Sequence, residues 1–263
     1  MSALKRLGIR SEKIDRGTAS NQQQQTDEAF GFKWSKRHTY ESRAYKANVR
    51  RWLLERYCSD DPKKLNDWLG IGDRKIILDA GCGAGVAGML FFGDSLRDHD
   101  YLGVDSSSAV EVARERFREH NMAGDFLRAD ISNIDVPDAS IDIIFSEGVL
   151  HHTDSTERSL KHLSKKLVPG GRFMFYVYRK KALVREYTDD AIRDALRHMN
   201  DYEAWEALKP LTRLGIELGR LKQQINIESP IPFLGIEAGK LDLQRFFLLE
   251  PLQGVLPRRI IVR

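Results

Sequence analysis

The stretch IILDAGCGAGVAG, Ile76–Gly88, joins an apolar run to a glycine-rich turn and decides how this chain is expected to fold. Such turns, between a strand and a helix, serve several classes of nucleotide. Gly81, Gly83 and Gly85 follow G-x-G-x-G, whereas a dinucleotide fingerprint, G-x-G-x-x-G, would have its third glycine where Val86 stands. A triphosphate loop needs a lysine after its last glycine, and none follows here. The register therefore excludes a triphosphate loop and disfavours a dinucleotide site.

Short apolar runs alternate with amphipathic helical stretches between about Lys75 and Tyr178. The spacing predicts an α/β fold: a Rossmann-like, doubly wound, mostly parallel sheet with helices on both faces. Capping-box patterns at Ser108 and Asp154 predict the starts of two of these helices. The predicted strands are IILDA, YLGVD, DFLRAD, IDIIFS and RFMFYVY.

Three regions differ in composition and predict three parts of the chain. Residues 1–69 form an N-terminal helical and aromatic extension, whose first 25 or so residues, ending in NQQQQT, are expected to be disordered. Residues 70–180 form the Rossmann-like core. Residues 181–263 form a C-terminal helical extension, expected to act as a lid, with its helix interrupted near Pro210. Two late apolar runs, FFLLEPL and RRIIVR, are the candidates for last strands.

Composition restricts the class of protein. No run approaches the roughly 18 apolar residues of a membrane span, and MSALKRLGIR lacks the apolar centre of a signal peptide, so a cytoplasmic protein without a membrane partner is expected. Cys58 and Cys82 are too few for a disulfide framework or a cysteine-rich zinc site, and no metal is expected. The net charge of +4 is spread along the chain, which disfavours a nucleic-acid partner.

The pattern D-x-G-x-G-x-G, Asp79 to Gly85, resembles the first motif of class I S-adenosylmethionine-dependent methyltransferases of the small-molecule type. The resemblance covers Lys75 to Tyr178. It implies S-adenosyl-L-methionine as cofactor and S-adenosyl-L-homocysteine as product. The turn residues Gly81, Cys82 and Gly83 would then approach the amino-acid part of the cofactor closely, because glycine carries no Cβ to collide with it.

Acidic residues at the ends of later strands extend this resemblance. It implies that Asp105, with Ser106, accepts hydrogen bonds from the ribose hydroxyls, and that Asp130 and Ile131 meet the adenine. Asp79 has two interpretations: contact with the cofactor ammonium through water, or hydrogen bonds that hold the glycine turn.

The loop SEGVLHHTDS, after the fourth predicted strand, is expected to face the reacting centre. Its catalytic candidates are His152, His151 and Glu147. Adjacent histidines do not readily point into one pocket, so one general base at most is expected, with His152 the first choice. Glu147 is expected to orient cofactor or substrate. The alternatives are a surface carboxylate, a histidine bound to the backbone, and catalysis by proximity alone.

Flanking residues are candidates for the substrate side. Trp34 and Tyr40 lie in the aromatic N-terminal stretch, and Tyr178, Arg179 and Arg185 follow the fifth strand. Packing on the core and a solvated basic face are the competing interpretations. The stripe Leu211, Leu214, Leu218 and Leu221 is typical of a helix packing on its own domain, with a homodimer as the alternative.

The function predicted from these patterns is methyl transfer to an oxygen, nitrogen or carbon of a small metabolite. Methylation of RNA or protein, and a non-catalytic scaffold that binds the cofactor, are the alternatives. The loop after the fourth strand reads SEGV rather than the Asn-Pro-Pro-Tyr type of many base-modifying members, which disfavours nucleic-acid bases as acceptors.

Overall fold

A five-stranded parallel sheet lies at the centre of the first of two compact units, Met1–Tyr178. The computed structural model describes residues 2–9, 21–37, 40–70, 72–178, 183–232 and 236–242, with the backbone alone at 21–26 and 183–186. The strands, in the order β3-β2-β1-β4-β5, are β1 (Ile76–Ala80), β2 (Asp100–Asp105), β3 (Asp125–Arg128), β4 (Ile141–Glu147) and β5 (Leu167–Tyr176).

Every neighbouring pair in this sheet is parallel, which confirms the predicted fold class. The strand order reverses between β1 and β4. In open parallel sheets, ligands bind beyond the carboxyl ends of the strands at such a reversal. The glycine turn and the SEGVLHHTDS loop follow β1 and β4 and therefore lie side by side at that edge.

Helices cover both faces of the sheet. Ile77 of β1 joins one buried cluster with α3, α4, α5 and α6, and its neighbours Ile76 and Leu78 join the cluster on the other face with α1 and α7. This alternation follows from the two-residue period of a strand. The helices are α1 (Ala3–Arg6), α2 (Asn21–Ser35), α3 (Arg43–Cys58), α4 (Pro62–Leu69), α5 (Val86–Phe92), α6 (Ala109–Glu119) and α7 (Thr156–Lys166), with short 3₁₀ helices at Gly93–Arg97 and Leu150–His152.

The helix starts differ slightly from the capping-box predictions. The Oγ of Ser155, rather than Asp154, accepts the cap hydrogen bond of α7. The Ser108 side chain makes no cap hydrogen bond; the Oγ of Ser107 instead accepts from the Ala109 amide at 3.2 Å. Serine and aspartate are both good caps, so the pattern alone does not fix the capping residue within one position.

Residues 2–9 pack against the sheet, whereas residues 10–20 of the segment expected to be disordered lie outside the described residues. Ala3 and Leu7 are buried in the cluster that also contains Leu78. The Leu4 amide donates to the Asp125 carboxylate at 2.8 Å. The run NQQQQT is helical within α2. The composition pointed to disorder, but tertiary contacts with the sheet fix residues 2–9 in place.

The second unit, Arg179–Arg263, contains α8 (Leu183–Leu196), α9 (Asp201–Leu221) and a hairpin of β6 (Gln224–Ile227) and β7 (Gly239–Asp242). The predicted interruption of the helix near Pro210 is wrong, because Pro210 lies inside α9. The helical stretch is instead interrupted just before Asn200, whose capping box starts α9. The runs FFLLEPL and RRIIVR lie outside the described residues.

The leucine stripe of α9 is only partly packed. Leu211 borders a small cluster formed by α8 and α9, whereas the Leu214 and Leu221 side chains are exposed. Across the described part of the chain, no helix has both the length and the apolar character that crossing a membrane requires.

Candidate functional site

The glycine turn is held against the end of β2. Gly81, Gly83 and Gly85 have φ values of +85°, +51° and +73°, which side chains with a Cβ rarely adopt. The amides of Gly81 and Cys82 donate to the Val104 carbonyl at 2.7 and 2.9 Å. A Cβ on Gly81 would collide with Val149, in the loop after β4. Glycine is therefore required here for backbone geometry and for close packing.

Asp105 joins the glycine turn to the loop after β2. Its Oδ2 accepts from the Gly83 amide at 2.8 Å, and its Oδ1 accepts from the amide and hydroxyl of Ser107 at 2.9 and 2.6 Å. Burial raises the pKa of Asp105, and these hydrogen bonds oppose the rise. A carboxylate offers about four acceptor positions, so three donors leave room for one more.

Asp130 and Ile131 follow β3, beside Asp105. The Ala129 amide donates to the Asp105 carbonyl at 3.0 Å, so the two strand ends are adjacent. Asp130 accepts from the amide and hydroxyl of Ser132 at 2.8 and 2.6 Å. The Ile131 side chain is buried in the core.

Asp79 and Cys82 direct their side chains inward. Asp79 accepts a hydrogen bond from the buried Tyr101 hydroxyl, and burial raises its pKa to about 7. Cys82 packs in the core against Gly103. Neither side chain makes a hydrogen bond to the amides of the glycine turn in the described structure. The amides of Gly81 and Cys82 donate to Val104, that of Gly83 to Asp105, and that of Gly85 to the backbone carbonyl of Cys82.

Glu147, at the end of β4, is held by helix α3. Arg56 forms an ion pair with Oε1, and the Tyr57 hydroxyl donates to Oε2 at 2.5 Å. The guanidinium of Arg56 also lies 3.6 Å from the centroid of the Tyr176 ring. Burial raises the pKa of Glu147, while Tyr57 and Arg56 act against that rise. This carboxylate is thus anchored through both of its oxygens.

The two histidines belong to an aromatic group beyond β4 and β5. The ring centroids of His151 and His152 are 3.9 Å apart, and Tyr178 lies 4.2 Å from His151. His152 also lies 6.3 Å from Tyr178, and its ring centroid is 5.2 Å from that of Phe30 on α2. The two adjacent histidine rings therefore lie against each other in one aromatic group, and His152 connects that group to α2.

Helix α2 lies across the edge that carries these residues. The Ser106 hydroxyl donates to Asp27 at 2.6 Å, and a Cβ on Gly31 would lie 2.6 Å from the Ser108 hydroxyl. Near the other end of the helix, a Cβ on Gly83 would lie 2.9 Å from Nε1 of Trp34. Helix α2 therefore contacts the loop after β2, the glycine turn and, through Phe30, the loop after β4.

The candidate substrate residues are placed differently from one another. Trp34 lies on the glycine turn. Tyr40 is buried, and its hydroxyl donates to the Trp34 carbonyl. Tyr178 is half exposed beside the histidines. Arg179 lies outside the described residues, and so does the side chain of Arg185.

Several side chains at this edge escaped the sequence patterns: Asp27 on α2, Arg56 and Tyr57 on α3, and Arg116 on α6. They lie on helices without a motif, where a buried charge looks the same in sequence as a solvated one. For Asp27, Arg56 and Tyr57, the unusual density of aromatic and basic residues before Leu69 was the only available signal.

Comparison with known families gives a match over the parallel sheet. Residues 78–175 match the family model described as "Methyltransferase domain". This part of the chain is thus similar to methyltransferase domains. The match begins within β1 and ends within β5, so the methyltransferase domain coincides with the parallel sheet and contains the glycine turn, Asp105, Asp130 and both histidines.

Three curated relatives share this methyltransferase domain. Phthiotriol/phenolphthiotriol dimycocerosates methyltransferase 1 of Mycobacterium ulcerans is 28% identical over 131 residues, which are 49% of this chain and 47% of that protein. Fatty-acid O-methyltransferase of Mycolicibacterium smegmatis is 28% identical over 46% of this chain and 43% of its own. Probable tRNA methyltransferase 9B of Bos taurus is 32% identical over 43% and 23%. The chain thus spans at most about half the length of these three relatives.

Proposed function

We propose that this chain transfers the methyl group of S-adenosylmethionine to an oxygen, nitrogen or carbon of a small molecule. The observation that carries the proposal is the G-x-G-x-G turn, in positive-φ geometry, with its Gly83 amide bound to the carboxylate at the end of β2. Two of the relatives are named for lipid or fatty-acid acceptors, which makes apolar metabolites the first acceptor class to examine.

The residues at this edge fit the cofactor. Gly81 and Gly83 place no side chain at the turn, Asp105 has acceptor capacity for a ribose hydroxyl, and Asp130 stands at the next strand end for the adenine. When bound, S-adenosylmethionine supplies a methyl group on a positively charged sulfur. Trp34 and Phe30, on α2, would cover it from the solvent side.

The chain would contribute alignment and exclusion of water. Holding the acceptor atom in line with the methyl group removes much of the entropic barrier of a bimolecular reaction. A positive charge disappears as transfer proceeds, so a poorly hydrated aromatic surrounding favours the transition state over the ground state. His152 would accept the acceptor's proton. Glu147, held by Arg56 and Tyr57, would orient rather than exchange protons.

Calorimetry with S-adenosylhomocysteine tests the cofactor directly. We expect binding of this product and no binding of NAD. Asp105→Ala should weaken binding by about 1.5 to 3 kcal/mol, because the ribose loses a charged acceptor and the turn loses its anchor. Asp135→Asn is the matched control, an exposed aspartate in the loop after β3, and should bind as the wild type does. Binding of NAD alone would refute the proposal.

The acceptor class is tested with methyl-labelled cofactor. Parallel reactions contain lipid extract, water-soluble metabolite extract, total tRNA or total protein. We expect label in a small-molecule fraction. Label in tRNA alone would favour the activity named for the Bos taurus relative, and label in protein alone a protein acceptor. Cofactor binding without label in any fraction would favour the non-catalytic scaffold.

A further inference from the structure

Arg116, on α6, has the largest side chain among those that are almost completely buried. Its exposed fraction is 1%. Arginine is rarely buried to this degree unless its charge is compensated by specific partners. It lies outside the motifs of the methyltransferase domain, so cofactor binding and methyl transfer give no direct reason for its burial.

The guanidinium of Arg116 connects two parts of the candidate site. On one side, Nε donates to the Ala84 carbonyl at 2.8 Å, within the glycine turn. On the other side, Nη1 lies 2.7 Å from the Glu41 carboxylate, in the linker between α2 and α3. The planar fork of arginine can hold two such acceptors at a fixed angle, which a lysine cannot reproduce.

The linker residues Glu41 and Tyr40 connect Arg116 to Trp34. Glu41 also binds Lys46 at 2.7 Å, which fixes its carboxylate against α3. The ring of Tyr40 lies 5.3 Å from the Arg116 guanidinium, and its hydroxyl donates to the carbonyl of Trp34. Trp34 in turn covers Gly83. A continuous chain of contacts therefore begins and ends at the glycine turn.

The burial of Arg116 is poorly explained by stability alone. Among the described residues, its Nη2 has no hydrogen-bond partner. A buried charge that is incompletely paired contributes little net stability, and an apolar residue of similar size often serves as well. What a hydrophobic residue could not do is bind the turn carbonyl and the linker carboxylate at once.

We propose that Arg116 is a positioning residue that couples the glycine turn to Trp34 of helix α2. Arg116 thereby retains the cofactor without touching it. The inference rests on the proposed function. With Arg116 in place, the turn and Trp34 hold one relative position over the bound cofactor. Without it, Trp34 leaves Gly83, and the cofactor dissociates faster.

The test uses the full chain labelled with 5-fluorotryptophan and observed by ¹⁹F NMR. The protein has four tryptophans, and Trp34→Phe assigns the Trp34 signal. Arg116→Met removes the guanidinium. The control Arg118→Met alters an exposed arginine two residues along the same helix. Tyr40→Phe removes only the hydroxyl that holds Trp34 and serves also where Arg116→Met does not fold.

We expect the Trp34 signal of ligand-free Arg116→Met and Tyr40→Phe to move to a solvent-exposed position while the other three signals stay. The dissociation constant of S-adenosylhomocysteine should rise about tenfold, mostly through faster dissociation. Arg118→Met should match the wild type. An unchanged Trp34 signal in the folded variants overturns the coupling. A wild type that does not bind S-adenosylhomocysteine overturns the proposed function, while the ligand-free spectra still decide the coupling.

Discussion

Asp79 is a carboxylic acid enclosed by the sheet and α5. Its Oδ2 accepts from Tyr101, and it would collide with any Cβ on Gly88. Burial penalises the charged form and brings the pKa to about 7, against about 3.9 for an exposed aspartate. In the folded protein this acid therefore stays protonated well above the pH at which it ionises in the unfolded chain.

The pH dependence of stability follows from that difference. A raised folded pKa stabilises the protein fully below the unfolded pKa and loses this contribution as pH rises through about 7. We expect the contribution of Asp79 to the free energy of unfolding to fall by about 2 kcal/mol between pH 5 and pH 7. Asp79→Asn, which cannot ionise, should remove this slope in urea titrations. Asp94→Asn, at an exposed site, should retain it. Parallel slopes in both variants would contradict the assignment.

The roles proposed for the loop after β4, proton transfer by His152 and orientation by Glu147, predict different effects of substitution. If His152 accepts a proton, His152→Ala should lower turnover roughly 10²- to 10⁴-fold while the affinity for S-adenosylhomocysteine stays nearly constant. Glu147→Gln should have a smaller effect, because Tyr57 and Arg56 can still hold the amide. His151→Ala completes the set, and His198→Ala, at an exposed site in the second unit, is the control. Turnover within a few-fold of wild type in all three loop variants would leave proximity as the mechanism.

Helix α1 shows how an element is fixed by charge as well as by apolar packing. Asp100, at the start of β2, has a side chain that is 1% exposed and binds Arg6 of α1 at 2.7 Å and Arg74 at 2.8 Å. These partners hold the pKa of Asp100 below its usual value against the effect of burial. The side chains of Arg6 and Arg74 are 31% and 43% exposed, so only the carboxylate of each pair is buried, and each pair acts as a charge-assisted hydrogen bond.

Replacing Asp100 therefore has a predictable effect on α1. We expect Asp100→Ala to destabilise the protein by about 1.5 to 3 kcal/mol in chemical denaturation, because the hydrogen bonds of a charged group are lost. Amide exchange within residues 3–7 should accelerate. Asp94→Ala breaks the exposed pair with Arg97 and should change stability by less than about 0.5 kcal/mol. Equal effects of the two substitutions would mean that the α1 anchor contributes nothing beyond a surface ion pair.

The elements differ in how far sequence could predict them. The central strands β1, β2 and β4 are almost continuously buried because helices cover both faces of the sheet, and their apolar runs are visible in the sequence. Helix α1 was not predictable, since its four residues gain order only by docking on β2 and β3. The interruption predicted at Pro210 was wrong because the folded protein accommodates a proline inside α9 that would break an isolated helix.

The same division applies to the candidate site. Residues that the backbone itself places at strand ends, such as Asp105 and Glu147, could be located from the spacing of the runs. The path of α2 across that edge could not, because it depends on long-range contacts such as Asp27 with Ser106 and Arg116 with Glu41. Pairings of this kind carry no local pattern.

At the scale of the whole molecule, the chain divides after Tyr178. The first unit contains all five sheet strands, both large buried clusters and every candidate cofactor residue. The second unit has its own small cluster around Leu208 and carries two of the candidate substrate residues, Arg179 and Arg185. Cofactor binding is therefore expected to reside in the first unit, separately from Arg179 and Arg185.

A protein ending at Tyr178 tests that separation. We expect residues 1–178 to unfold in a single cooperative thermal transition, because the sheet and its helical layers are complete within them. The dissociation constant of S-adenosylhomocysteine should stay within about threefold of the full chain, and turnover on the acceptor should fall by more than about tenfold. Arg179→Ala and Arg185→Ala in the full chain are the companion variants, expected to raise KM for the acceptor alone. A fragment that loses cofactor affinity while remaining folded would show that the second unit contributes to the cofactor site.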